Sequence, residues 1–375
     1  MRLTIFGSSI VSAYWNGAAT YYRGVLGALA RYGHEIVFCE PDAFDRQSHR
    51  DLQAGPDYAR VEVYSTEAER DGLLTAALAE SDWVIKCSGV GVWDAELEHG
   101  LAAGGPACTA FWDVDAPATL AGMRSADGGP LRALLPRLDH VFTYGGGPPV
   151  VRAYRALGAR ACAPIYNGLD PAVHHPVPAE PRWDVLFMGN RLPDREERVE
   201  EFLLGPARAL PSRRFALGGS GWERKHVPRN VTRLGHVPTD AHNRLNASAR
   251  LVLNVHRTAM VENGWSPATR MFEAAGVGAG QITDEWEGIE DFFEPGVEIL
   301  VARDGSDVER AVRRVSASEA GRIGLAARRR ALRDHTYASR ARRLHGALGG
   351  GTGREAATAR ALRRDEPAPA AEARP

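Results

Sequence analysis

The segment from Ser266 to Glu290 carries the residue types that hold a nucleoside diphosphate. Its pattern predicts a loop, a helix bearing the acidic residue Glu273, a glycine-rich turn and a short strand. Free N–H groups at the start of a helix bind phosphate, and a carboxylate further along can accept hydrogen bonds from a ribose diol. An ordinary helix with a glutamate on its surface explains the same pattern, so both interpretations stay open.

Glycine and basic residues follow the predicted strands of the second half, where a phosphate group would lie. Gly189 permits close backbone approach, and Arg191 or Arg195 can pair with a diphosphate through two N–H donors. The indole ring of Trp222 can stack on a nucleobase, although packing in the core explains a tryptophan at this position equally well. Three further residues are expected at the same edge, namely Trp222, His256 and Arg257.

Two carboxylates, Asp113 and Asp115, stand one residue apart at the end of a predicted strand. An aspartate in that place can act as a general base on a substrate hydroxyl. The Asp-Val-Asp tripeptide also matches a short metal-binding signature, but that match is weak, and Pro117 alternatively just ends the strand. We expect no metal site.

A long loop follows the first predicted strand and lacks the GxGxxG spacing of a dinucleotide site. It either lines a substrate cleft or is a plain surface loop. The residues that would then contact the substrate are Ser8, Ser9, Trp15, Asn16 and Gly17. The glycine run that begins after Tyr144 allows close approach by a sugar or phosphate, or simply a tight turn.

Length and composition exclude several classes of protein. A chain of 375 residues fits two domains, and a net charge of −1 gives no general attraction to nucleic acid or an anionic membrane. The four cysteines form no CxxC pair, and His174 and His175 fall in a proline-rich stretch where solvent exposure is expected. No signal peptide or apolar run of about 18 residues is present, which predicts a cytoplasmic protein without a transmembrane segment.

Short apolar runs alternate with helical stretches in both halves, which predicts two parallel sheets with helices on both faces. The expected organisation is an N-terminal domain (1–163), a linker (164–182), a C-terminal domain (183–315), C-terminal helices (316–348) and a disordered tail (349–375). The cluster Arg328–Arg330 is either a solvated helix face or a contact for a membrane surface. The predicted strands are Leu3–Phe6, Glu35–Cys39, Val61–Tyr64, Trp83–Cys87, Cys108–Trp112, His140–Thr143, Asp184–Met188, Arg214–Leu217, Thr232–Leu234, Leu251–Val255, Gly280–Thr283 and Glu298–Val301.

Taken together, these residues resemble a known family, the spore maturation protein CgeB-like glycosyltransferases of the GT-B superfamily. The resemblance is strongest between Asp184 and Arg303, and it extends loosely to the Trp112–Pro117 region and to Asn167–Asp170. The motifs that carry it are Phe187-Met-Gly-Asn-Arg, Leu253-Asn-Val-His-Arg, Ser266–Gly276, Thr283-Asp-Glu-Trp-Glu-Gly and Phe293-Glu-Pro-Gly-Val-Glu.

The resemblance implies an α/β fold of the GT-B type, with two Rossmann-like doubly wound domains facing an interdomain cleft. It implies a metal-independent, hexosyltransferase-like enzyme that moves a sugar from a UDP-, TDP- or GDP-linked donor to an acceptor hydroxyl or another nucleophile. Glu273 matches the ribose-binding glutamate of the family. Gly189 and Arg191, with the loop residues Ser266, Ala268, Thr269 and Arg270, match its diphosphate-binding elements.

The nucleotide-sugar would be a substrate, so no cofactor is expected. The acceptor would be a small molecule or a cell-envelope or spore glycan, with peripheral membrane contact left open. One departure concerns the second glutamate that many retaining members carry eight positions before Glu273, because Trp265 stands there instead. Two alternatives remain, namely a nucleotide-sugar epimerase of the same fold and a non-catalytic binding or assembly protein.

Overall fold

Two parallel sheets, each flanked by helices, form the computed structural model, which describes residues 1–14, 16–124 and 129–349. The seven strands of the first sheet lie in the order β3-β2-β1-β4-β5-β6-β7. They are rich in β-branched and aromatic residues and mostly buried, as expected for a sheet covered on both faces. Their bounds are β1 (Arg2–Phe6), β2 (Glu35–Pro41), β3 (Arg60–Tyr64), β4 (Trp83–Cys87), β5 (Cys108–Asp113), β6 (His140–Thr143) and β7 (Cys162–Pro164).

Helices cover both faces of this sheet and enclose two separate apolar cores. Tyr21, Tyr22 and Trp112 are among the largest side chains of the core under α1, and all three are essentially inaccessible to solvent. The helices are α1 (Ala18–Ala30), α2 (Glu67–Glu80), α3 (Asp94–Ala103), α4 (Ala116–Arg124), α5 (Gly129–Leu134) and α6 (Gly147–Ala156), with a 3-10 turn at Leu135–Arg137.

The second sheet has six strands in the order β10-β9-β8-β11-β12-β13, which repeats the crossover pattern of the first six strands of the other sheet. The strands are β8 (Trp183–Met188), β9 (Phe215–Gly218), β10 (Val231–Gly235), β11 (Ala249–Asn254), β12 (Gln281–Asp284) and β13 (Leu300–Ala302). The helices are α7 (Pro193–Val199), α8 (Gly205–Ala209), α9 (His242–Ala247), α10 (Thr258–Asn263), α11 (Thr269–Val277) and α12 (Gly305–Arg314), with a π-helical turn at Glu200–Leu204 and 3-10 turns at Thr239–Ala241 and Ile289–Asp291.

The strand order reverses beside the first strand of each sheet, between β1 and β4 and between β8 and β11. Ligands of open α/β sheets bind in the crevice outside the carboxyl ends of the strands at such a point. The loops that follow β1 and β8 therefore occupy the two places where ligand contact is expected. The doubly wound α/β class predicted from the sequence is confirmed.

All twelve predicted strands are present, with ends that differ by at most two residues. Strand β7 was not predicted, because three residues ending in a proline carry almost no strand signal. The sequence pattern also predicts helices over 194–204 and 240–249. In the structure the first is divided by the π-helical turn, and the second ends at Ala247, before β11 begins.

Two long helices close the described chain, α13 (Ala317–Asp334) and α14 (Tyr337–Gly349). Helix α13 begins at the cap Ser316, whose side chain accepts from the Glu319 N–H, and it packs against α11 of the second half. Helix α14 instead packs against α1 of the first half, with Leu344 fully buried there. Gly349 is thus helical, and the predicted tail from 350 to 375 lies outside the described residues.

Arg328 of the predicted basic cluster donates a hydrogen bond to the carbonyl oxygen of Gly276 at 3.1 Å, so this side chain is engaged within the protein. Among the described helices, none is long and apolar enough to cross a bilayer.

We expect Leu344→Ala to lower the stability of the first half, because it removes a fully buried side chain at the contact between α14 and α1. Large-to-small changes in a core cost about 2–5 kcal/mol. Leu325→Ala on α13 is the matched control, since that leucine is 55% exposed. Urea unfolding followed by tryptophan fluorescence measures both, and equal midpoints for the two variants would contradict the packing of α14.

Candidate active site

A cleft of about 1020 Å³ lies between the carboxyl ends of the two sheets and is lined from both halves of the chain. From the first half come the loops after β1, β2, β4, β5 and β6. From the second half come the loops after β8, β9, β10 and β11 and the start of α11. Its lining includes the predicted residues Ser8, Asn16, Gly17, Asp115, Gly189, Arg195, His256, Arg257, Ser266, Ala268, Thr269, Arg270 and Glu273.

Three guanidinium groups from different elements meet on the second-half wall of the cleft, namely those of Arg195, Arg257 and Arg270. Arg270 donates from Nε to the Met188 carbonyl at 2.5 Å and from Nη1 to Asn254 Oδ1 at 2.7 Å. These bonds fix the direction of its side chain. Burial lowers the pKa of Arg270, which marks a cation held away from water.

Arg195 is the least compensated of the three. Its Nη1 donates to the Asn190 carbonyl at 3.2 Å, while its buried Nε has no hydrogen-bond partner among the described residues. Burial, followed by the charges of Arg270 and Arg257, lowers its pKa to about 9. A partly buried cation beside two other cations is stabilised when an anion enters.

Gly189 leaves space for the guanidinium groups of Arg270 and Arg195 to approach the same point. A Cβ at this position would lie 2.8 Å from Arg270 Nη2 and 3.3 Å from Arg195 Nη1. A side chain here would therefore displace the Arg270 guanidinium and crowd that of Arg195. The loop after β8 permits the cation cluster because this position is glycine.

Helix α11 begins beside the cluster, and Ala268 and Thr269 at its start line the cleft. No side chain caps this end of the helix. The positive end of the helix dipole thus adds to the field of the guanidinium groups. Ser266 lines the cleft too, but its hydroxyl donates to the Gly264 carbonyl at 2.8 Å.

Glu273 lies one helical turn further along α11 and faces two histidines. His242 Nδ1 is 3.3 Å from one carboxylate oxygen, and His174 Nε2 is 3.7 Å from the other. Burial raises the pKa of Glu273, but the His242 hydrogen bond and the charges of His174, His242 and Arg270 outweigh it, so the net pKa is lowered. The expectation that His174 is solvated is wrong, because the linker turns back onto α11; His175 is exposed as expected.

His256 is almost fully buried and pairs with Asp284, which the sequence analysis missed as a functional partner. Its Nδ1 is 2.7 Å from Asp284 Oδ1, and Arg198 donates to the other carboxylate oxygen at 2.7 Å. Burial would raise the pKa of Asp284, but the charge of His256 and these hydrogen bonds lower it to about 2. The pair fixes the orientation of the imidazole that lines the cleft.

Asp113 and Asp115 have different surroundings. Asp113 is completely buried, and it accepts hydrogen bonds from Tyr154 Oη at 2.5 Å, Thr119 Oγ1 at 2.9 Å and the Asp115 N–H at 3.0 Å. Burial outweighs these bonds and raises its pKa. Asp115 lines the cleft with its side chain 48% exposed, 3.8 Å from Arg257 Nη1. Asp113 therefore positions the backbone of Asp115, and a substrate can reach only Asp115.

The loop after β1 is held by hydrogen bonds between its own polar groups. Ser8 Oγ donates to Asn16 Oδ1 at 3.0 Å, and both residues line the cleft with Gly17. Ser9 instead points away and donates to Glu40 at 2.9 Å. The prediction for Ser9 as a contact residue is corrected accordingly, and Trp15 lies outside the described residues.

Two predicted donor-site residues are not found on the cleft wall. Arg191 forms a two-point pair with Glu196, at 2.7 and 2.9 Å, on the outer side of the loop. Trp222 is 2% exposed and donates from Nε1 to the Gly189 carbonyl at 2.7 Å, so it supports the loop from beneath. The sequence positions of Arg191 and Trp222 are compatible with a side chain on either side of the loop. Only the path of the loop backbone determines which side chains face the cleft.

Trp265, eight positions before Glu273, joins the two halves. Its backbone adopts a positive φ of 39°, its carbonyl accepts from the Gly146 N–H at 2.9 Å, and its Nε1 donates to Asp291 at 2.7 Å. A Cβ at Gly147 would lie 2.5 Å from the Trp265 side chain. Gly146 and Gly147 thus allow the two halves of the chain to pack closely against each other.

Among the described residues, no group of three or more histidine, cysteine, aspartate or glutamate side chains is arranged to hold a metal ion.

The family model described as "Glycosyl transferase-like" matches residues 195–346. That range contains Arg195, Arg257, Arg270 and Glu273. No curated protein matches the chain.

Solved structures share the whole fold. Sucrose-phosphate synthase from Thermosynechococcus elongatus is 14% identical with a TM-score of 0.67, over 96% of this chain and 100% of that chain. Anabaena HepE in complex with UDP-glucose is 14% identical with a TM-score of 0.66, over 94% and 100%. T4 phage BGT, in complex with its UDP-glucose substrate, is 11% identical with a TM-score of 0.62, over 93% and 100%. The chain therefore has the GT-B fold.

We expect Glu273→Gln to lower the pKa of His242. In the wild type, burial lowers this pKa, but the hydrogen bond to Glu273 and its charge raise it above the ordinary value of 6.5. The contact should stabilise the fold fully below the ordinary histidine pKa, while Glu273 is ionised, and lose this effect as pH rises through the raised pKa. NMR titration of the His242 ring proton, assigned with His242→Gln, measures the change. An identical titration in Glu273→Gln would refute the pairing.

Proposed function

We propose that the protein is a glycosyltransferase that moves a sugar from a nucleotide-sugar to an acceptor. The observation that carries this proposal is the convergence of Arg195, Arg270 and the start of α11, with Glu273 one turn away. A diphosphate fits the cations and the helix start, and a ribose diol fits the carboxylate. The family-model match and the UDP-glucose complexes of HepE and T4 phage BGT support the same reading.

The donor is proposed to be a UDP-sugar, since HepE and T4 phage BGT form complexes with UDP-glucose. TDP- and GDP-sugars offer the same diphosphate and remain comparison ligands. Glu273 would accept hydrogen bonds from the ribose hydroxyls, and these would compete with the contacts from His242 and His174. Donor binding would thus exchange histidine contacts for ribose contacts at one carboxylate.

Leaving-group stabilisation is proposed to come from fixed cations. Negative charge grows on the nucleoside diphosphate as the glycosidic bond breaks, and cations already oriented toward it stabilise the transition state. Arg270 is oriented by two hydrogen bonds, and Arg195 has an unpartnered Nε. These residues take the role that the sequence analysis gave to Arg191, and the reaction is proposed to need no metal.

Asp115 is the proposed general base. Its exposed carboxylate lines the cleft, so it can accept the proton of an acceptor hydroxyl as that oxygen attacks the sugar. Arg257 lies between Asp115 and Asp194, at 3.8 and 2.7 Å, and links the two walls of the cleft. Many retaining members of the family that this chain resembles carry a second glutamate eight positions before Glu273. In this chain that position is Trp265.

The finer assignments belong to this proposal as well. The protein is proposed to be a CgeB-like, hexosyltransferase-like enzyme located in the cytoplasm. Its acceptor is proposed to be a small molecule or a cell-envelope glycan. Its two domains are proposed to be divided at the linker 164–182. The resemblance of residues 184–303 supports the first of these.

The proposal is tested by calorimetric titration with UDP, TDP, GDP, CDP and NAD, each with and without EDTA. We expect one nucleoside diphosphate to bind preferentially and EDTA to have no effect. Binding of NAD alone would overturn the proposal, and a requirement for a divalent cation would overturn its metal-free part.

We expect Arg195→Gln to weaken nucleoside diphosphate binding by roughly 10- to 100-fold, because one charge-assisted contact contributes about 1.5–3 kcal/mol. Arg191→Gln is the matched control, since that guanidinium is paired with Glu196 outside the cleft. The dissociation constants of both variants come from the same calorimetric titration. A larger loss in Arg191→Gln would restore the assignment made from sequence.

We expect Asp115→Asn to lower kcat by about 100-fold or more, as removal of a general base does. Its thermal stability should change little, because its side chain is half exposed. Asp113→Asn should instead lower the melting temperature, since three hydrogen bonds converge on that buried carboxylate. Steady-state kinetics and thermal unfolding on both variants give the comparison. Full turnover in Asp115→Asn would remove this residue as the base.

A further inference from the structure

Arg46 lies on the first-half wall of the cleft and takes no part in the function proposed above. It follows β2, as expected for a ligand contact in this type of sheet. The residue is 9% exposed, yet it lines the cleft. A buried guanidinium that reaches a substrate cleft is a binding group unless the protein already satisfies its charge.

Hydrogen bonds within the protein use only part of the donor capacity of the Arg46 guanidinium. Its Nη1 donates to the Ser8 carbonyl at 3.1 Å, and its Nε has no hydrogen-bond partner among the described residues. Burial lowers its pKa, and the charge of Glu40 opposes this effect. That carboxylate, however, already accepts from Ser9, the Ile10 N–H and Gln47. Arg46 is thus a buried cation with no carboxylate in ion-pair contact among the residues that the structure describes.

The backbone before Arg46 is built in an unusual way. Phe44 and Asp45 both adopt positive φ, 58° and 55°, a backbone conformation that is uncommon for residues other than glycine, above all for a bulky residue such as phenylalanine. The turn places the Phe44 ring 4.9 Å from the Arg46 guanidinium carbon. Gly91 makes room for that ring, because a Cβ there would lie 2.6 Å from it. The ring therefore restricts the guanidinium from one side.

We propose that Arg46 binds an anionic group, a carboxylate or a phosphate, on the acceptor substrate. This inference rests on the proposed function and names the acceptor class: a hydroxyl compound, such as a sugar acid or sugar phosphate, that carries a negative charge away from the reacting oxygen. Arg46 and Asp115 belong to the same wall of the cleft, so one acceptor can contact both. The donor cations belong to the opposite wall, so the two anionic groups have separate sites.

The test measures binding of three probes to the UDP-saturated protein by ligand-observed NMR. Glucose is the neutral probe, glucuronate carries a carboxylate, and glucose 6-phosphate carries a phosphate. In the wild type, at least one anionic probe should bind about tenfold or more tightly than glucose, as expected for a charge-assisted contact. Which of the two does so identifies the anionic group.

Three variants separate binding from other roles of Arg46. Arg46→Gln should abolish the preference for the anion, while Arg46→Lys, which keeps the charge, should retain most of it. Arg50→Gln is the control for general charge, because Arg50 contacts Gln47 and does not line the cleft. The UDP dissociation constant should stay unchanged in all three.

Equal affinity for the three probes in the wild type, or failure of all three to bind, would overturn the inference. So would an anion preference that survives in Arg46→Gln, or an equal loss of the preference in Arg50→Gln. A loss of UDP affinity in Arg46→Gln would move Arg46 to the donor site. Failure of the wild type to bind UDP is a different result, because it would overturn the proposed function itself.

Discussion

The cleft depends on a concentration of partly buried positive charge at the edge of the second sheet. Arg195 and Arg270 approach each other across Gly189, and the start of α11 adds its dipole at the same place. Neutral partners such as the Met188 carbonyl orient these groups without removing their charge. Such an arrangement costs stability until an anion enters, so it is explained by ligand binding rather than by folding.

The two halves of the chain contribute different things to the cleft. The second half supplies cations and Glu273, and the first half supplies an exposed carboxylate supported by buried Asp113. The contact of Trp265 with Gly146 and the packing of α14 on α1 hold the halves together. In the proposed function, donor and acceptor would meet between the two sheets, which is the positioning that a transfer reaction needs.

Much of this could be predicted from the sequence. The strands, their doubly wound class and the place of Glu273 follow from apolar runs, glycine and helix-start signals. The choice between Arg191 and Arg195 could not be made, because both occur in one loop and only its path decides which side chain faces inward. His174 and Arg46 were missed for a related reason. Their partners, Glu273 and the Ser8 carbonyl, are distant in sequence, and contacts across such distances leave no local pattern.

The most direct test of the account is a crystal structure of the protein with UDP. The account predicts the diphosphate within hydrogen-bond distance of Arg195, Arg270 and the first N–H groups of α11. It also predicts the ribose hydroxyls on Glu273, with His242 displaced from that carboxylate. A nucleotide bound elsewhere, or a diphosphate held by Arg191 outside the cleft, would contradict it.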